Sequence, residues 1–339
     1  MNKFFQFTAK AFALFLILLF TSCGGNRLDV DVSDIDVKVD IRHFETDLFE
    51  NKLNHLVEFT AKYPYFINDY TMGILGFAPD SPSMAFNQLM LYKTDVNVRK
   101  VYDLVKAKFG NFKPYEDQLV DAYKHFKFYF PNEKIPTIIT YTSNFSFYMN
   151  PVGQDYIGIA LDMHMGSDFK YYDYAEIEKY WRKILIPESI VTNHMMAHAN
   201  DLFVKTHRNK NFIDEMIYFG KLLYFLDATC PKVPDHIKIG MTKQEFEWCQ
   251  REEKNIWAFI VKEKYLYETE RRNFEKLVRE GPRTQASGVP EDAPAMIGRF
   301  AGWMAVRQYM NENLDISLSD LMNDGNAEAI LQKSGYKPN

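Results

Sequence analysis

Residues 191–203, VTNHMMAHANDLF, carry two histidines four apart in a helical pattern. On a helix His194 and His198 share a face, with β-carbons about 5–6 Å apart, close enough for two imidazoles to hold one zinc ion. Ile190, Val191, Asp201 and Leu202 line up with them. The spacing is that of the H-E-x-x-H motif, whose Glu deprotonates the zinc-bound water. Met195 stands in that place here, and a thioether cannot take the proton. A catalytic zinc also needs a third protein ligand and an open position. Asn200 and Asp201 do not supply the glycine and third histidine of the longer metalloprotease pattern. In the following helical stretch, NFIDEMIYFGKLLYFLD, Phe219 precedes the glycine where a Glu ligand would serve; Asp214 and Glu215 lie one turn earlier. Two core or rim histidines without chemistry is the preferred reading. A structural or regulatory metal site and a degenerate zinc peptidase stay open as alternatives.

Other chemistry-bearing residues have plainer readings. Asp162, His164, Ser167 and Asp168 cluster just after a strand, where ligand-binding loops often begin, with Gly166 allowing a tight turn. A simple strand-to-loop turn, with Asp168 bonding local amides, is preferred. Gly298 and Gly302 lie four apart and predict a tight helix crossing, with Arg299 between them able to reach a cleft beside His194. Trp248, Trp257, Tyr265 and Tyr267 run along one predicted helix and read as core before docking stripe. Cys230 and Cys249 could form a disulfide, but two buried free thiols are preferred.

The first residues form a leader. Lys3 and Lys10 precede an apolar run from Ala11 to Phe20, too short for a membrane span, and small residues lead to Cys23. The stretch FTSC resembles a bacterial lipobox, with Phe20 as tolerated in lipoproteins of Bacteroidota. The resemblance implies cleavage before Cys23 and lipidation of that residue; a plain secretory signal is the alternative. Without residues 1–22 the chain keeps 38 basic and 45 acidic side chains, a net −7. Such a body is not drawn to anionic lipid, so acyl chains must hold it at a membrane. No basic stripe marks a nucleic-acid partner.

These residues need elements to position them. The chain of 339 residues, 47% apolar and 25% charged, is long enough for a large core. Residues 35–41, IDVKVDI, alternate strictly and predict a strand; 42–64 predict one amphipathic helix. Residues 84–130 read as helix broken at Gly110 and Pro114. Residues 135–142 and 155–163 read as strands with Asn150, Pro151 and Gly153 in the turn between. Helices are expected over 173–185, 187–206, 211–227, 242–268, 270–280, 294–312, 317–323 and 326–334. The expected fold is α+β, predominantly helical with a small antiparallel or mixed sheet. The expected division is a signal peptide over 1–22, a lipidated tether over 23–34 and one domain over 35–339.

Six stretches carry a family resemblance: FTSCGG, VDIRHFETDLF, IGIALDMHMGSDFKYY, IPESIVTNHMMAHANDLF, FIDEMIYFGKLLYFLDATCP and PAMIGRFAGWMAVRQYM. Together they resemble the gliding-motility lipoproteins of the GldB type, found in Bacteroidota. The family is similar in layout to zincin-like peptidases, which implies a zincin-like architecture lacking the catalytic Glu. The resemblance implies a lipid-anchored, periplasm-facing envelope protein that contacts other proteins of a motility or secretion complex. It implies no reaction and no resident cofactor. The alternatives are a zinc-dependent peptidase and a cell-wall or glycan binder.

Overall fold

The computed structural model describes residues 27–50, 52–78 and 80–338. Strand β1 (Ile41–His43) leads directly into helix α1 (Phe44–Phe49). A helical region follows: α2 (Leu56–Lys62), α3 (Pro82–Tyr92), α4 (Val96–Phe109) and α5 (Lys113–Tyr129). The chain returns to the sheet as β2 (Thr137–Tyr141), β3 (Val152–Gly153) and β4 (Tyr156–Ala160). The rest is helical: α6 (Ile190–Phe203), α7 (Phe212–Thr229), α8 (Lys243–Arg251), α9 (Glu253–Lys262), α10 (Arg271–Val278), α11 (Ile297–Glu312), α12 (Leu318–Asn323) and α13 (Ala327–Ser334). This is the expected α+β class.

The sheet runs β1-β2-β4-β3. β1 and β4 lie parallel to β2, with Ile41 opposite Ile138 and Ile138 opposite Ile157, and β3 is antiparallel to β4. The sheet is therefore mixed. All five residues of β4 are buried, which fits the unbroken apolar YIGIA better than an alternating pattern would. Beneath it, Phe44, Tyr63, Phe66, Tyr70 and Tyr141 pack edge to face, with Phe44 and Tyr70 centroids 4.6 Å apart.

Several expected elements are revised. The alternation over 35–41 does set the facing: Ile35, Val37 and Val39 are half-buried and Asp36, Lys38 and Asp40 exposed. Yet only Ile41 onward pairs in the sheet, so the pattern recorded burial without a ladder. The single helix over 42–64 is two, because the Asp47 carbonyl accepts Lys52 and Leu53 amides in a turn. Residues 173–185 hold only short turns, and 242–268 breaks into α8 and α9 at Glu252. Trp248, Trp257 and Tyr265 are consequently half-buried and Tyr267 is exposed, so they form no core stripe. Cys230 and Cys249 are both buried free thiols, as preferred.

Helix α7 is the hub, buried on nearly every face and touching α5, α6, α10, α11, α12 and α13. Its crossing with α11 is backbone on backbone. A β-carbon on Gly302 would stand 1.9 Å from the Met216 carbonyl oxygen, and one on Gly220 would stand 2.4 Å from the Gly302 carbonyl oxygen. Below this crossing Asp227 is buried and fully engaged. It accepts from Trp303 Nε1 at 2.8 Å, from Arg307 Nε and Nη2 at 2.7 Å each, and from Lys238 Nζ at 2.9 Å. Arg307 also reaches Asp235 at 2.8 Å and lies 3.9 Å over the Trp303 ring. The charge is compensated at every lone pair, which makes its burial tolerable.

Gly302→Ala is expected to cost about 3 kcal/mol or more, since backbone must move to admit the methyl group. Gly73→Ala, whose β-carbon would meet nothing within 4 Å, should stay within about 0.5 kcal/mol of wild type. Urea unfolding of the two variants measures the contrast.

Candidate functional site

Pro187 opens a short 3-10 turn that feeds α6, and Ser189 steadies it by donating to the carbonyls of Ile184 and Ile186 at 2.6 and 2.8 Å. The helix brings His194 and His198 to one face, as the spacing predicted. That face is closed around His194, while farther along Asp201 is exposed and His198 borders a cavity of about 500 Å³. The face packs on α5, which presents Tyr123 and Phe126 one turn apart. The Tyr123 hydroxyl lies 2.8 Å from His194 Nε2 and 3.5 Å from His198 Nδ1, and the Phe126 ring sits 4.8 Å from the His198 ring. His194 is fully buried and His198 is 3% exposed.

His194 Nδ1 has no hydrogen-bond partner among the described residues. This selects a proton arrangement. If His194 Nε2–H donates to Tyr123 Oη, and the Tyr123 hydroxyl turns to His198 Nδ1, only a lone pair on His194 Nδ1 goes unmatched. The reverse leaves a buried N–H without an acceptor, at about 1–3 kcal/mol. Burial holds both imidazoles neutral. It lowers His194 to about 3, with His198 beside it adding to the effect, and lowers His198 to about 4.

These residues do not fit a hydrolytic zinc. The place where two imidazoles could share an ion is taken by the Tyr123 phenol, which lies 2.8 Å from His194 Nε2 and 3.5 Å from His198 Nδ1. Among the described residues no group of three or more His, Cys, Asp or Glu side chains stands together as a metal site. Met195 is fully buried. Glu215 pairs instead with Arg271 at 2.9 Å and lies 3.7 Å from His207, Asp214 accepts the Lys210 amide, and Asp201 is exposed.

The other sequence candidates scatter. Asp162 is fully buried and holds the chain after β2: its carboxylate accepts Ser143 N at 2.7 Å, Phe145 N at 2.9 Å and Ser143 Oγ at 3.1 Å. His164, also fully buried, donates from Nδ1 to the Ala160 carbonyl at 2.8 Å and accepts Asn193 Nδ2 at 3.3 Å; burial lowers it to about 4. Asp168 and Ser167 are exposed on the surface. Arg299 does line a cleft, but on a face of α6 roughly a third of a turn from the histidines. Cys23 lies outside the described residues.

That cleft, of about 460 Å³, escaped the sequence reading. Asn193, Met196, Ala197 and Asn200 of α6 form its floor, Phe219 of α7 and Arg299 of α11 one wall, and the loop Phe147–Pro151 with Tyr180 and Trp181 the rim. The Arg299 guanidinium lies 4.0 Å over the Phe219 ring. The signal available was Phe219 itself, a large aromatic beside a glycine required for helix packing.

Tyr123→Phe should lower stability by about 1–3 kcal/mol, read by urea unfolding, because it strands a buried imidazole. The histidines also impose a pH slope. Their folded values lie below the ordinary 6.5, so the unfolded chain binds protons first. Stability is then present above about pH 6.5 and is lost as pH falls toward 4 and 3, by up to about 1.4 kcal/mol per unit for each group. The difference in slope between wild type and His194→Gln isolates this contribution, and the variant should be flatter between pH 6.5 and 5.

No curated protein and no solved structure matches the chain. The family model described as gliding motility protein GldB matches residues 25–338. With nearly the whole chain covered, this protein belongs to the GldB gliding-motility family.

Proposed function

We propose that this protein is a lipid-anchored, periplasm-facing component of the cell envelope. In this reading it supports gliding motility, or the secretion apparatus tied to it, by contact with other proteins and performs no chemistry at its histidine pair. The observation that carries the non-catalytic part is the Tyr123 hydroxyl at 2.8 Å from His194 Nε2. A phenol already bonded there supplies the imidazole with the partner that a metal would otherwise be. The order of β4, the H-x-x-x-H helix α6, the second helix α7 and the glycine-bearing α11 supports descent from a zincin-like scaffold. Family membership supports the link to gliding, and the FTSC stretch ending at Cys23 supports the anchor. Among the described residues no helix is long and apolar enough to cross a membrane.

Complementation of a strain lacking the gene tests this. Cys23→Ala should release the protein from the membrane fraction and abolish gliding. His198→Gln, at matched abundance on immunoblot, should keep gliding and recover the same cross-linked envelope partners. Stoichiometric zinc that is lost in His194→Ala, together with peptide turnover, would overturn the non-catalytic reading.

A further inference from the structure

The geometry points to the cleft between α6, α7 and α11 as a binding site for a neutral, hydroxyl-rich oligosaccharide. Three features of its lining carry this, and none depends on a lipid anchor or on the histidine pair.

The rim is aromatic and set in advance. Phe147 and Tyr148 are 73% and 55% exposed and stand together as an uncovered aromatic patch. Phe147 leans on Trp181, with centroids 5.1 Å apart, and Trp181 donates its indole N–H to Glu280. The loop that carries the rim is strained and clamped. Asn144 and Phe145 take φ of 55° and 61°, a region that a phenylalanine rarely adopts. The buried Asp162 carboxylate holds both sides of that turn through Ser143 and Phe145. Farther on, the Tyr141 hydroxyl donates to the Tyr148 carbonyl, and Ala160 N donates to the Met149 carbonyl at 2.9 Å. Strain held by a buried charge at a cleft mouth is characteristic of a positioned site. The electron-rich faces of such rings suit the polarised C–H groups of a sugar ring.

Carboxamides stand on the floor and at the rim. Asn150 donates Nδ2 to the Gly158 carbonyl at 2.9 Å and Asn193 donates Nδ2 to Ser189 Oγ at 3.2 Å, so each keeps Oδ1 for a ligand. Asn200 accepts the Tyr218 hydroxyl at 2.8 Å and keeps its amide N–H groups. Arg299, over the Phe219 ring, borders the same space. Acceptors and donors thus stand side by side, which is what hydroxyl groups require.

The charges are already spent. Lys183 bonds Glu245 at 2.9 and 3.0 Å, Lys238 bonds Asp227 at 2.9 Å, and Arg299 faces Glu280 at 3.5 Å. An acidic peptide would find no unpaired cation among the described lining residues. A purely apolar chain would strand three carboxamides. A neutral saccharide leaves neither debt.

The test is calorimetric titration of the full chain in mild detergent, with Trp181 fluorescence as a second signal. The probes are triacetylchitotriose and maltotriose, against an acidic hexapeptide and a decanoyl chain. At least one neutral saccharide should bind with Kd below about 1 mM. Phe147→Ala should weaken it at least about tenfold while leaving the thermal midpoint unchanged, because the ring is largely exposed. Arg299→Lys should also weaken it. The proposal is overturned if no neutral saccharide binds, if Phe147→Ala binds as wild type, or if only the peptide or the decanoyl chain binds. Gliding and membrane retention are not read here, so failure leaves the anchored-scaffold reading standing.

Discussion

The crossing of α7 and α11 at Gly220 and Gly302 sets backbone directly against backbone, and the rest of the helical half is arranged by it. With a β-carbon at either position the two backbones could not meet. Because they do meet, Trp303 and Arg307 come within hydrogen-bond reach of Asp227, and Lys238 and Asp235 close the network from the short helix Asp235–Ile239. One turn before Gly302 on α11, the same contact lays Arg299 over Phe219 and so forms a wall of the cleft. A small-residue contact therefore sets both the polar knot and the concave surface.

The histidine pair shows how a spacing that suits a metal can serve packing. Two imidazoles one turn apart need partners wherever they are buried, and α5 meets one nitrogen of each with a single hydroxyl. The arrangement keeps them neutral and dry, whereas a hydrolytic metal needs water and a base at the same point. Meanwhile the neighbouring face of α6, which carries amides and a methionine, lines the cleft beside α7 and α11.

Asp162 links the sheet to that cleft without touching it. A fully buried carboxylate is costly, and burial raises its pKa even though four hydrogen bonds, the first of them from Phe145, counteract the shift. The return is a fixed, strained loop whose aromatic residues stand at the rim in one arrangement. His164 plays a similar part through Asn193. Both residues stood out in the sequence as ligand candidates; both act by positioning backbone or a neighbouring side chain.

Periodicity and composition by themselves determined the class and the order of most helices, and six motif-bearing stretches carried the family resemblance. The apolar runs of β2 and β4 and the glycines at 298 and 302 are local signals that the chain obeys. Local pattern could also mark His194 and His198 as sharing a face. It could not say what that face meets, because Tyr123 lies 71 residues away in sequence and nothing in its surroundings marks it as a partner. Nor could it find the cleft, whose lining is drawn from residues 147 to 299 across several elements. Helical spacing is a property of one segment, decided by backbone geometry. Whether a face is buried, bonded or open is a property of pairs of segments, decided only when the Gly220–Gly302 crossing and the α5–α6 packing bring distant side chains into contact.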